Sequence, residues 1–252
     1  MSDFRYTRSV LFPPVIKNLL IINLLVWVAQ LTLQNHFPLT DLLSLHPAIP
    51  PKLEQVLTRT GELAELRRFN PYQLISYMFA HAAYDGHGGI VFAHILFNMF
   101  ALWMFGRTLE NLWGGKRFIF FYIASGIGAA LFHLAIQYFR SGQLADAILA
   151  NDQAGVSKFL GALSPALGAS GAIMGIMVAF GYLFPNTEFM IMPIPIPIKA
   201  KWLVLGYVAL DLFGGITNYS TDNVAHFAHL GGALAGFIIV YLWNKTNRKT
   251  LY

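Results

Sequence analysis

Ser170 stands in the run Gly168-Ala169-Ser170-Gly171, and His229 opens a second small-residue run that ends at Gly236. His94 and Asn98 are four residues apart in His-Ile-Leu-Phe-Asn, so on a helix they share one face. These types suit acyl transfer. A serine hydroxyl is a weak nucleophile until a base takes its proton, and imidazole does so near neutral pH. Histidine, asparagine and backbone N–H groups stabilise the oxyanion that then forms. The expected roles are Ser170 as nucleophile, His229 as base and then acid, and His94, Asn98 and the Ser170 amide as oxyanion donors. The chain has no cysteine, which excludes thiol catalysis, disulfides and cysteine-ligated zinc.

The elements that must position these groups are apolar. Of 252 residues, 56% are hydrophobic and only 12% charged, and soluble domains carry nearer a quarter charged. Six runs suit membrane spans, at 19–33, 90–109, 118–139, 167–184, 202–217 and 224–243, with outer loops at 34–89 and 140–166. The expectation is an all-α, polytopic membrane protein with a single six-helix domain over residues 1–252. The first run has no small-residue cleavage site, which fits a retained span. If both termini are cytoplasmic, eleven of the seventeen Lys and Arg lie on that side, as the positive-inside rule asks. That assigns the net charge of +5 to topology in a cell membrane. The basic residues are scattered, and so form no nucleic-acid patch. Pro193, Pro195 and Pro197 alternate, which predicts an extended cytoplasmic link between the fourth and fifth spans.

Depth brings the polar groups together. Pro165 and Gly168 disfavour helix, so the fourth helix is expected to start near Ala169 or Ser170. It then reaches only about 21 Å to Phe184, and Ser170 sits inside the membrane at its positive end. His229 lies about 21 Å from Trp243, and Asn98 about 22 Å from Trp113, on the same helical rise. Gly232 and Gly236 share the His229 face, and Gly171 and Gly175 form a matching pair in the fourth span. Close approach of these two helices would bring Ser170 within hydrogen-bond reach of His229. Asp211 falls towards the outer end of the fifth span and Asp222 in the loop after it. A Ser–His dyad without an acid is therefore expected.

Each residue also has a structural reading. Ser170 alone fits a packing residue, and His94 with Asn98 fits an interhelical hydrogen-bonded pair. His226 and His133 fit packed histidines, His81 and His87 an outer mouth, and His36 and His46 ordinary loop positions. A metal site or transporter built from His94, His226 and His229 is a further alternative. It leaves Gly-Ala-Ser-Gly and Asn98 unexplained.

Taken together, HILFN in the second span, GASG in the fourth and AHLGGALAG in the sixth resemble the rhomboid family of intramembrane serine proteases. The resemblance covers the first span and most of the chain from about Tyr72 onward. It implies a six-helix bundle with a short fourth helix carrying the serine. It also implies cleavage of transmembrane or membrane-proximal segments of substrate proteins through an acyl-enzyme. Ser170 and His229 would be catalytic and His94 and Asn98 would line the oxyanion hole, with Gly168, Gly171, Gly232 and Gly236 as packing positions and no metal or cofactor. The partners implied are transmembrane protein substrates and the lipid bilayer. The fifth helix and residues 218–223 correspond to the family's gate and cap. A catalytically silent relative that binds membrane segments is the alternative within the family. Many rhomboids carry Trp-Arg in the first outer loop, whereas here the nearest stretch is Tyr72-Gln73, with Arg67-Arg68 just before.

Overall fold

The computed structural model describes residues 10–34, 36–61, 66–85, 87–190, 196–217 and 223–246. Its elements in chain order are α1 (Pro14–Leu33), α2 (Leu39–Leu43), α3 (Pro51–Thr60), α4 (Gln73–Ser76), α5 (Ala93–Trp113), α6 (Gly115–Leu149), α7 (Gln153–Phe159), α8 (Ser170–Leu183), β1 (Glu188–Met190), β2 (Pro197–Lys199), α9 (Ala200–Thr217) and α10 (Asn223–Thr246). The long helices α1, α5, α6, α8, α9 and α10 form the all-α bundle that the resemblance implies. Among the described residues, α1, α6 and residues 226–246 are long and apolar enough to cross a bilayer, and α8 is apolar but only 14 residues long.

The bundle exposes apolar side chains and buries several polar ones among its apolar core. Leu25, Phe97, Phe139, Leu210 and Phe213 are exposed, while Asn23, Gln30, Ser125, Gln137 and Ser141 are buried. Water would penalise such a surface, and a hydrocarbon solvent accepts it. Pro14 opens α1, where a missing amide hydrogen leaves no acceptor unmet. Glu110 of α5 closes that helix end, its two oxygens accepting from the amides of Val15 at 2.9 Å and Ile16 at 2.8 Å.

One outer segment differs from the sequence expectation. The helix of the third span does not stop at 139; α6 continues to Leu149. At 35 residues it is about 52 Å long, well beyond a ~30 Å hydrocarbon core. The extension is held because Leu144 and Ala145 pack on Leu53, Val56 and Leu57 of α3. The first outer loop is folded. His46 is buried with its ring on the Asp41 carbonyl, Arg67 pairs with Asp41, and Arg68 pairs with Glu54. Gln73 Oε1 accepts from the amides of His46 and Asn70, and Tyr72 donates to the Leu42 carbonyl. These bonds tie down the stretch that lacks the Trp-Arg pair. The proline segment ends in an antiparallel pairing of β1 with β2, in which Met190 faces Pro197. Pro193, Pro195, Asp222 and the cap residues 218–222 lie outside the described residues.

α10 occupies the centre, packed on α6, α8 and α9. Its contact with α8 is backbone on backbone. A Cβ on Gly232 would lie 1.8 Å from the Gly171 carbonyl oxygen, and one on Gly236 would lie 2.5 Å from Gly175 Cα. Only glycine permits this approach.

Candidate active site

Ser170 is the first residue of α8, with Ala169 as its N-cap. The first amides of a helix have no acceptor within it, and they point at whatever occupies the space above the serine. Gly168 turns the chain into this position with φ +119°, a backbone conformation strained for any residue with a side chain. Its amide donates to the Tyr77 carbonyl at 2.9 Å, and an added Cβ would lie 3.0 Å from His94 Nε2.

The glycine contact between α8 and α10 sets Ser170 against His229. Ser170 Oγ is 2.7 Å from His229 Nε2. For the serine hydroxyl to donate here, Nε2 must hold its lone pair and Nδ1 must carry the ring proton. Nδ1 faces Asp211 of α9, 3.1 Å from Oδ1 and 3.2 Å from Oδ2. His226 Nδ1 reaches the same Oδ1 at 2.8 Å.

Asp211 is the residue that sequence reasoning missed. Depth counting placed it near the outer end of its span, yet it is 5% exposed and bonded to the histidine beside the serine. One signal was available. Asp211 and Gly214 are spaced i,i+3 on α9, and His226 and His229 are spaced i,i+3 on α10. A Cβ on Gly214 would lie 2.6 Å from His226 Nε2, so that glycine makes room for the ring. His226, expected to be merely packed, is thus the second partner of Asp211.

Across the cavity, the Ala82 amide donates to His94 Nδ1 at 3.1 Å. A neutral His94 must then carry its proton on Nε2, the nitrogen beside Gly168. Ala82 is itself fixed from α1. Gln30 Nε2 donates to the His81 carbonyl at 2.9 Å, and Gln30 Oε1 accepts from the His81 amide at 3.0 Å. His81, expected at an outer mouth, is instead fully buried with its ring centroid 5.2 Å from that of His94. Burial first, and the neighbouring His94 second, hold its pKa down to about 4. His87 and His36 are exposed loop positions. Asn98 Nδ2 donates to the His94 carbonyl at 2.9 Å, which leaves one amide hydrogen for the cavity.

A cavity of about 650 Å³ joins these groups, lined by His94, Asn98, His133, Ser170, Tyr207 and His229 among others. A second hollow of about 280 Å³ reaches Ser170 and His229 past Phe97, Phe100, Met174 and Met177. The larger cavity gathers polar side chains around Ser170, and the apolar hollow suits a hydrophobic chain. Among the described residues no three His, Asp or Glu side chains are grouped as metal ligands.

The family model described as the Rhomboid domain matches residues 68–245. The chain is 33% identical over 152 residues to Rhomboid protein 1, mitochondrial, of Saccharomyces cerevisiae, a stretch covering 60% of this chain and 38% of that protein. It is 32% identical over 152 residues to Rhomboid protease AarA of Providencia stuartii, covering 58% and 49% of the two chains. Rhomboid protease GluP of Bacillus subtilis is 28% identical over 151 residues, with 60% and 23% covered. The matched stretch thus spans less than half the length of each of these relatives.

Proposed function

The chain belongs to the rhomboid family, and from that premise we propose that it is an intramembrane serine endopeptidase. The observation that carries this reading is the 2.7 Å approach of Ser170 Oγ to His229 Nε2 at the start of a short buried helix. Ser170 Oγ attacks the scissile carbonyl as its proton passes to His229 Nε2. His94 Nε2–H, the free Asn98 amide hydrogen and the Ser170 amide take the oxyanion. Collapse of the tetrahedral intermediate breaks the C–N bond. His229 returns the proton to the leaving amine, and an acyl-enzyme remains. A water molecule deprotonated by His229 then attacks the ester, releasing the carboxylate product and restoring Ser170.

The substrate class is a transmembrane or membrane-proximal segment of another protein. The apolar hollow beside Ser170 supports this, since it offers aromatic and methionine side chains and no charge to the chain that enters. The basic bias supports an orientation with both termini on the cytoplasmic face of a cell membrane. Retention of both serine and histidine argues against a silent, purely binding relative.

A fluorophosphonate probe applied to the full chain in detergent or liposomes tests the reading. Ser170 is expected to be labelled, with labelling abolished in Ser170→Ala and reduced at least ~10³-fold in rate in His229→Ala. A folded wild type that is never labelled, and cleaves no membrane segment, would overturn it.

A further inference from the structure

The protease reading assigns no role to Asp211, although it is a carboxylate buried in an apolar bundle. An ionised group there is costly unless it is bonded, and within membrane segments such groups mark function more often than packing. On the basis of that reading, we propose that Asp211 is a positioning residue that holds His229 in the tautomer and orientation needed to activate Ser170. It thereby extends the dyad to a Ser170–His229–Asp211 triad carried on three different helices.

The tautomer argument comes first. His229 can accept the Ser170 proton only if Nε2 is unprotonated, so Nδ1 must be the donor in the resting state. A buried Nδ1–H without an acceptor would favour ring rotation or the other tautomer. Asp211 supplies two oxygens within 3.2 Å of that nitrogen. The charge argument follows. As Ser170 attacks, His229 becomes an imidazolium in a low-dielectric space, and a carboxylate in direct contact stabilises it.

His226 holds the carboxylate from its other side, at 2.8 Å to Oδ1, so Asp211 is itself kept from turning. Among the described residues, the remaining titratable groups lining the adjoining cavity are Tyr207, one turn earlier on α9, and His94 and His133 across it. Asp211 is the one acid bonded to His229 among the described residues. A purely structural role would be to fasten α9 to α10, and the bond to His226 would suffice for that. The contact with His229 is surplus to fastening.

One consequence concerns α9. Its outward residues Leu205, Leu210, Phe213 and Ile216 are exposed, and its inward face carries the acid. His229 is therefore oriented fully only while α9 is seated against α10.

The test compares wild type, Asp211→Asn and Asp211→Glu as full-length protein with a transmembrane-segment substrate. Asp211→Asn is expected to lower kcat by roughly 10²- to 10⁴-fold while KM stays within about threefold. Asp211→Glu, which keeps the acceptor, should recover at least about tenfold of that loss. A folded Asp211→Asn protein with kcat within about threefold of wild type would overturn the proposal. Should the asparagine variant not fold, the wild type still decides. In ¹⁵N-histidine NMR, His229 should carry its resting proton on Nδ1 with a downfield, strongly hydrogen-bonded resonance. A resting proton on Nε2 would overturn the proposal. A wild type that neither labels at Ser170 nor cleaves would fail the protease reading. An active wild type alongside a fully active Asp211→Asn would fail this inference alone.

Discussion

Around the site, α10 meets α8 through glycine backbone and meets α9 through a carboxylate shared by two histidines. Farther along, Asn244 donates to Tyr182 of α8 and Phe227 lies over Gly215 of α9. On the α8 side, Gly232 and Gly236 rest on Gly171 and Gly175 with no side chain between them. On the α9 side, His226 and His229 reach a single carboxylate, and Gly214 yields space to a ring. The first contact is steric and sets a distance, the one from Ser170 to His229. The second is electrostatic and sets an orientation, the tautomer and plane of the imidazole. With the two jobs separated, the spacing of Ser170 and His229, the proposed nucleophile and base, does not depend on the seat of α9.

The comparison predicts that the steric contact tolerates nothing. In Gly232→Ala the new methyl carbon would sit 1.8 Å from the Gly171 carbonyl oxygen, and neither backbone has a flexible end that can swing aside. Overpacking a core costs about 1–3 kcal/mol when side chains can shift, and more where backbone must move. A loss above about 3 kcal/mol is expected, read as a fall in Tm of roughly 6–12 °C in detergent. Ser170 labelling should disappear with it. A Gly232→Ala protein with unchanged Tm and labelling would show that α8 and α10 are not in backbone contact.

The same division explains what could be recognised from sequence. Close backbone approach demands small residues at fixed spacing, so Gly171, Gly175, Gly232 and Gly236 are visible as a pattern, and they bring Ser170 and His229 with them. An electrostatic contact leaves no such pattern. Counting residues gives depth along one helix, but the relative height and tilt of α9 and α10 are tertiary properties. Counting therefore put Asp211 at another level. The α6 extension was hidden for a related reason. Arg140, Ser141, Gln143 and Asp146 look like loop in sequence, and the helix persists because Leu144 and Ala145 find α3, a partner some ninety residues away.

A second histidine pair sharpens the electrostatic side of the comparison. His226 and His229 share an acid, whereas His81 and His94 meet edge to face, and no carboxylate is among the groups that shift the His81 proton. Burial and the His94 ring hold His81 near a pKa of about 4, against about 6.5 in the unfolded chain. Between those values the unfolded chain binds the extra proton, so stability falls as pH drops from 6.5 towards 4 and is fully present above 6.5. From pH 7 to pH 5 the loss is about 2 kcal/mol, or roughly 4–8 °C in Tm. His81→Gln should flatten that slope. An equally steep slope in His81→Gln would place the acid sensitivity elsewhere.

The smallest effect is expected at Gly214, and it bears most directly on whether the α9 contact is yielding. A Cβ there would meet the edge of the His226 ring, with Nε2 at 2.6 Å and the neighbouring ring carbons at 2.8 and 3.0 Å. Unlike a carbonyl on a packed helix, this ring ends a side chain about a third exposed, and it can swing away. In Gly214→Ala the helix also gains about 0.5–1 kcal/mol in propensity, which offsets the cost of moving the ring. Tm should therefore change by less than about 3 °C. His226 loosens its hold on Asp211, but both Asp211 oxygens still reach His229, so kcat should fall by no more than about threefold. A fall beyond about tenfold would mean that α9 is as rigidly seated as α8, and that spacing and orientation are not separable on α10.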